Sequence, residues 1–251
     1  MSGDIVLETK ALTKAFRGFV AVNNVNLQVR RGTIHALIGP NGAGKTTVFN
    51  LLTHFLTPTD GSIHYESREI TGLPPHRIAA LGIVRSFQIS SVFPHLTALE
   101  NVRLALQRRR GPAFSFWNSM GLLSRYDEEA RGHLEEVGLA EFAATPAVEL
   151  SYGRKRSLEI ATTLALDPRL ILLDEPTQGM GHEDVGRIVA LIRRVAQGRT
   201  VLMVEHNLSV VADLSDVITV LQRGEVLAEG NYEQVSTNPE VVSAYLGTAD
   251  V

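Results

Sequence analysis

Gly39-Pro40-Asn41-Gly42-Ala43-Gly44-Lys45-Thr46 carries glycines, a lysine and a hydroxyl in the spacing G-x-x-x-x-G-K-[ST], and Thr47 follows. Residues of these types in this order suit a polyphosphate. Glycines let successive backbone N–H groups curl around phosphate oxygens, Lys45 adds a point charge, and the Thr46 hydroxyl can face a magnesium ion. An incidental glycine-rich turn is the alternative, and the flanking pattern argues against it. The run Ile34–Ile38 before it is apolar, and Lys45–Leu56 after it reads as a helix. A second group, Leu170-Ile-Leu-Leu-Asp174-Glu175, is an apolar strand delivering two carboxylates at its end. One acid near a metal and one near an attacking water would divide the labour of hydrolysis, with Asp174 orienting the metal and Glu175 accepting the proton. Taken alone, this pair could equally be a solvated acidic strand end.

Such residues need a scaffold that brings strand ends together. Ile34–Ile38, Ile83–Phe87, Leu170–Leu173 and Val201–Val204 read as buried strands alternating with helical stretches, the α/β pattern of a mostly parallel sheet. Ligands in such sheets bind beyond the carboxyl ends of the strands, where both groups above fall. Thr57–Gly61 reads as a turn cluster closing the first helix, and Arg223-Gly224 as a hairpin between Val217–Gln222 and Glu225–Ala228. From about 89 to 166 the strand pattern gives way to helical segments, among them Ala98–Arg108 and Tyr126–Val137. This predicts a helical insertion in one domain spanning 1–251. Ser151 occupies an N-cap position before a helix with an apolar face at Leu158, Ala161, Leu164 and Ala165.

Bulk properties narrow the classes. The net charge is −3, so the basic excess of a nucleic-acid binder is missing, and nucleic acid is not an expected partner. There is no cysteine, which excludes disulfides, cysteine-ligated zinc and thiol catalysis. Asp4 and the lack of a long apolar run near the start argue against a signal peptide. No run of about eighteen apolar residues is present. Any membrane role is therefore expected through another chain.

The order of the motifs carries more than any one of them. The glycine-rich loop, Phe87-Gln88, Leu150-Ser-Tyr-Gly, Asp174-Glu175 and Glu205-His206 follow one another as in the ABC ATPases, and the chain resembles that family over essentially its whole length. The resemblance implies a P-loop NTPase (RecA-like) core, antiparallel β elements, and a helical insertion specific to these proteins. It implies ATP and Mg²⁺ as ligands, with Thr46, Gln88 and Asp174 toward the metal. Glu175, His206 and Gln88 take catalytic positions, His206 toward the γ-phosphate. Phe16 would stack on adenine, although a core position is the plainer reading of a lone Phe. Ser151 and Gly153 of the signature segment would face the γ-phosphate held by a second ATPase subunit, identical or not. Two departures stand out: Arg154 where glutamine is commoner, and Gly181 where aspartate is often found.

The long stretch between Gln88 and Leu150, the signature Leu-Ser-Tyr-Gly and the ending Asn238–Gly247 look most like the ATPases of branched-chain and hydrophobic amino-acid importers. That implies integral membrane permease subunits, an extracytoplasmic solute-binding protein acting indirectly, and a peripheral position on the cytoplasmic face of the membrane. A lipid-exporting ABC system and a non-transport ABC ATPase are the alternatives. No sustained heptads and no second glycine-rich loop appear, which argues against chromosome-associated and translation-factor relatives. Arg108–Arg110, with Phe114, Phe116 and Trp117 after it, offers nucleic-acid or lipid contact as one reading, and a solvated basic turn beside a small aromatic cluster as the preferred one. Phe93, in the apolar stretch Val92–Leu96, reads either as an exposed anchor for a permease or as core of the insertion.

Overall fold

The computed structural model describes residues 4–86, 92–110 and 126–246. The chain opens with strands β1 (Ile5–Phe16), β2 (Phe19–Val25), β3 (Gln28–Arg30) and β4 (Ile34–Ile38), then helix α1 (Lys45–Leu52). Strands β5 (Asp60–Tyr65) and β6 (Arg68–Glu69), helix α2 (Pro75–Ala80) and strand β7 (Ile83–Ser86) follow. Helices α3 (Ala98–Arg110), α4 (Asp127–Glu136) and α5 (Tyr152–Ala165) pack on one another before strand β8 (Leu170–Asp174). The remainder is α6 (His182–Val195), β9 (Thr200–Val204), α7 (Leu208–Leu214), β10 (Val217–Gln222), β11 (Glu225–Gly230), α8 (Tyr232–Ser236) and α9 (Pro239–Leu246).

The central sheet has the order β11-β10-β4-β9-β8-β7, parallel throughout except for β11. Every residue of β4, β8 and β9 is buried, which explains why these strands are nearly uninterrupted apolar runs. Alternate side chains serve opposite faces. Ala36, Ile171, Leu173, Val201 and Met203 join a core with the helices α3 to α7. Leu37, Leu170, Leu172, Leu202 and Val204 join another with α1 and a second, antiparallel sheet of order β2-β1-β5-β6, with β3 also pairing β1. The strands in the middle are thereby covered on both sides, and their carboxyl ends gather on one edge.

Several boundaries differ from the sequence reading. The helix expected over Lys45–Leu56 ends at Leu52. Thr53 Oγ1 turns back to the Phe49 carbonyl at 2.7 Å, and His54 takes a left-handed backbone at φ 58. Asp60 and Gly61 do not close that helix; they open β5, paired with β1. Arg108–Arg110 are not a turn but the last residues of α3, and Arg109 Nη2 meets Asp167 Oδ2 at 2.5 Å. The β1–β3 strands have no clean alternation in sequence because β1 changes register between Leu12 and Lys14 and again between Lys14 and Ala15. The Arg223-Gly224 hairpin is present, with both residues at positive φ (50 and 84) and β11 extending to Gly230.

Candidate functional site

Backbone geometry, more than side chains, shapes the loop between β4 and α1. Gly39 has φ 149, and a Cβ there would lie 2.1 Å from the Leu221 carbonyl oxygen. Gly44 has φ 101, and a Cβ would meet the Ala21 carbonyl oxygen at 2.6 Å. No other residue type fits either position. The loop is also pinned from outside, because the Gly224 N–H donates to the Ala43 carbonyl and the Asn23 N–H to the Gly224 carbonyl. The β1–β2 hairpin, the loop and the β10–β11 turn form one knit surface. Lys45 Nζ donates to the carbonyls of Gly39 at 2.7 Å and Pro40 at 2.9 Å. Burial pushes its ammonium below the usual lysine range, and the Glu175 carboxylate partly offsets this. Asn41, Gly42 and Thr46 are exposed, Pro40 and Thr47 half-buried, and α1 begins at Lys45. The helix N-terminus and the exposed loop amides suit an anion.

Side chains organise the carboxyl end of β8. Asp174 is buried and ion-paired with Arg85 of β7, whose Nη1 also donates to Asn50 Oδ1 of α1 at 2.7 Å. Arg85 stands over the Phe49 ring, 5.7 Å from its centroid. From α5, Arg156 donates to the Asp174 carbonyl at 2.8 Å and to Glu159 at 2.7 Å. Burial raises the Glu159 carboxyl above the usual range, opposed by Arg156. Glu175 has a left-handed backbone at φ 45, its N–H donates to the Val204 carbonyl, and its Oε1 lies 2.6 Å from His206 Nε2. Thr177 donates to Glu205, and burial raises the Glu205 carboxyl despite that bond and the N–H groups of Asn207 and Thr177. A cleft of about 310 Å³ is lined by Glu175, Thr177, Gly181, His182, Glu205 and His206, among others.

Other residues singled out in the sequence fall on β1, at the starts of α5 and α6, and in the turn before α3. Phe16 is 42% exposed at the end of β1, paired across the hairpin with Phe19 and under Lys14 Nζ at 5.2 Å, so it is not core. Ser151 caps α5, its side chain accepting from the Arg154 N–H at 3.4 Å. Gly153 is buried against α6, where a Cβ would be 2.8 Å from Asp184 Oδ1. Arg154 lies over the Phe142 ring at 3.9 Å. Gly181 begins α6 without a side-chain cap, leaving Glu183 and Asp184 to complement the helix dipole. Phe87 and Gln88 fall outside the described residues, as do Phe114, Phe116 and Trp117. Phe93 is 58% exposed, whereas Val92 is buried. The buried Asn101 fixes this turn, accepting from the Phe93 N–H at 2.6 Å and donating to the carbonyls of Phe93, Leu96 and Thr97.

Arg85, Arg156 and Thr177 are structural partners of the site to which the sequence reading gave no role, and Glu205, quoted only beside His206, is a fourth. Arg85 left a readable signal, since an arginine inside Ile83–Phe87, a run read as a buried strand, must find a buried counter-charge. Arg156 and Glu159 left none, because an i, i+3 pair of opposite charges on a helix is ordinary on a surface.

A family model described as ABC transporter matches residues 22–178, and one described as branched-chain amino acid ATP-binding cassette transporter matches 225–251. The chain is 43% identical to the high-affinity branched-chain amino acid transport ATP-binding protein BraF of Pseudomonas aeruginosa, covering 97% of this chain and 98% of that one. It is 40% identical to the corresponding protein LivG of Escherichia coli strain K12 over the same shares. Among solved structures, the ADP conformation of an ATP-binding cassette of an ABC transporter superposes with a TM-score of 0.84 at 30% identity, covering 97% of this chain and 99% of that one. A dimeric post-hydrolysis cassette bound to ADP and Pi matches with a TM-score of 0.76 at 28% identity, covering 90% and 98%.

Proposed function

The chain belongs to the ABC transporter family of ATP-binding subunits, and from that premise we propose that it hydrolyses ATP at the carboxyl edge of its central sheet to drive import of branched-chain or other hydrophobic amino acids. The observation that carries this reading is the convergence on one edge of the glycine loop with Lys45, the buried Asp174, and Glu175 in contact with His206. Loop amides, Lys45 and Thr47 bind the phosphates, and Phe16 offers an exposed ring to adenine. Among the described residues no group of three or more His, Cys, Asp or Glu could hold a metal alone. Magnesium is commonly held by one or two protein oxygens, with water and substrate phosphates completing its shell, so Thr46 and Asp174 fit it, with Gln88 the further candidate. A magnesium ion held by Thr46 and Asp174 would supply neutralisation of charge on the phosphate oxygens.

In the hydrolytic step, Glu175 takes a proton from the water that attacks the γ-phosphorus, the bond between that phosphorus and the bridging oxygen breaks, and ADP leaves with the bridging oxygen's electrons. His206 holds Glu175 in place before nucleotide arrives, and we read it as the later contact to the γ-phosphate. The sequence resemblance and the dimeric cassette among the structural neighbours support a second ATPase subunit, whose site Ser151 and Gly153 complete. We assign 89–166 to the helical subdomain, with permease subunits docked beside it and the solute-binding protein acting through them. No helix among the described residues is long and apolar enough to cross a membrane, which fits a peripheral place on the cytoplasmic face.

Glu175→Gln keeps the shape of the side chain and removes the base. With the natural partner subunit present, it is expected to lower kcat about a thousandfold while an ATP-bound dimer accumulates on gel filtration. Ordinary turnover in this variant would remove Glu175 from the mechanism. Phe93 is the proposed permease contact, held outward by a turn that does not depend on its ring. Phe93→Ala should leave ATP hydrolysis by the isolated chain unchanged and weaken permease binding and transport. Full transport by this variant would move the docking site elsewhere.

A further inference from the structure

The signature segment and the backbone after Glu175 meet at one hydroxyl. Tyr152, the first residue of α5, is 59% exposed, and its hydroxyl donates to the Gln178 carbonyl at 3.0 Å. The side chain gets there by lying over Gly179, where a Cβ would stand 3.7 Å from the Tyr152 hydroxyl oxygen. Gln178 passes the connection on, its N–H donating to the Glu175 carbonyl at 3.1 Å. Glu175 in turn holds His206 at 2.6 Å. The path runs from the start of α5 to the carboxylate without a gap.

Two further observations give that path mechanical content. Glu175 sits at φ 45, a conformation that a side-chain-bearing residue keeps only while its surroundings impose it. The Gln178-to-Glu175 bond is one of the constraints that do so. On its other side, the start of α5 is already in contact with α6, since a Cβ on Gly153 would be 2.8 Å from Asp184. A displacement of Ser151–Gly153 has a hydrogen-bonded route to the Glu175 turn through the Tyr152 hydroxyl and Gln178. An exposed ring gains little from burial, so its hydroxyl bond fixes its direction.

We propose that Tyr152 is a positioning residue: its hydroxyl ties the segment that completes the partner subunit's ATP site to the turn that orients Glu175 in this subunit's own site. The proposal rests on the two-chain ATP site of the preceding section. Engagement of Ser151 and the α5 N-terminus by the partner's nucleotide steadies Tyr152, Tyr152 steadies the 175–178 turn, and Glu175 is held where it can accept the proton. Nucleotide affinity at this subunit's own loop does not depend on it.

Tyr152→Phe removes one oxygen and keeps the ring. In the assembled transporter it should lower kcat for ATP hydrolysis about tenfold while KM stays within about twofold. Combined with Glu175→Gln, it should trap as much ATP-bound dimer on gel filtration as Glu175→Gln alone. An unchanged kcat overturns the proposal. So does a parallel loss of trapped dimer, which would make Tyr152 an interface contact and nothing more. If Glu175→Gln alone traps no dimer with the natural partner present, the two-chain site fails, and the proposal fails with it.

Discussion

The ends of β4 and β8 lie on one edge of the same sheet, both strands wholly buried, yet they are built by opposite means. After β4 the chain uses backbone: glycines at φ 149 and 101 with carbonyls 2.1 and 2.6 Å from their missing Cβ atoms. After β8 it uses side chains: Asp174 against Arg85, Arg156 on the Asp174 carbonyl, and Glu175 against His206. The difference follows from the tasks we propose for the two ends. Phosphate oxygens are numerous and need many donors at short range, which only amides in a tight curl supply. In the roles proposed above, Asp174 as metal ligand and Glu175 as base would each hold one charge at one place, which calls for carboxylates with chosen neighbours, Asp174 buried and Glu175 half-buried.

If the β8 end depends on its charged neighbours, removing one should be costly. Arg85→Met leaves the Asp174 carboxylate buried without its cation and is expected to lower stability by about 3–5 kcal/mol. Urea unfolding at neutral pH measures this, and a loss under about 1 kcal/mol would mean that Asp174 is supported by the backbone, as the β4 end is. The expected loss is large because Arg85 also links β7 to α1 through Asn50.

The β4 strand offers a smaller and sharper contrast. His35, the second residue of β4, is buried, has Thr219 Oγ1 at 2.8 Å from Nε2, and has no partner for Nδ1 among the described residues. Burial lowers its pKa from 6.5 to about 4. The folded state therefore prefers neutral imidazole, so the stability tied to it is present above pH 6.5 and is lost as the pH falls toward 4. At pH 5 the loss should be about 2 kcal/mol relative to neutral pH, and His35→Gln should lack this part of the pH dependence. Urea midpoints for both chains at the two pH values decide it. Parallel curves would show that the β4 interior tolerates an imidazolium.

The glycine loop, the two acids at the end of β8, the Ser151 cap and the central strands were legible from composition and spacing, because each depends on neighbours in sequence. A curl of amides needs glycines a few residues apart, a cap needs a hydroxyl just before a helix, and a parallel strand covered on both faces must be apolar throughout. The end of α1 was less legible, since Thr53 bonding back to Phe49 stops a helix whose pattern continues. Beyond sequence reach lay which groups meet. That Arg85 faces Asp174, that Tyr152 reaches Gln178, and that Phe93 stays outside while Val92 turns in are relations between segments far apart or sharing one turn. The physical reason is that a charge, a hydroxyl or a ring has the same local preferences wherever it stands, and its partner is chosen only when the sheet order brings β7, β8 and the starts of α1 and α5 to one edge.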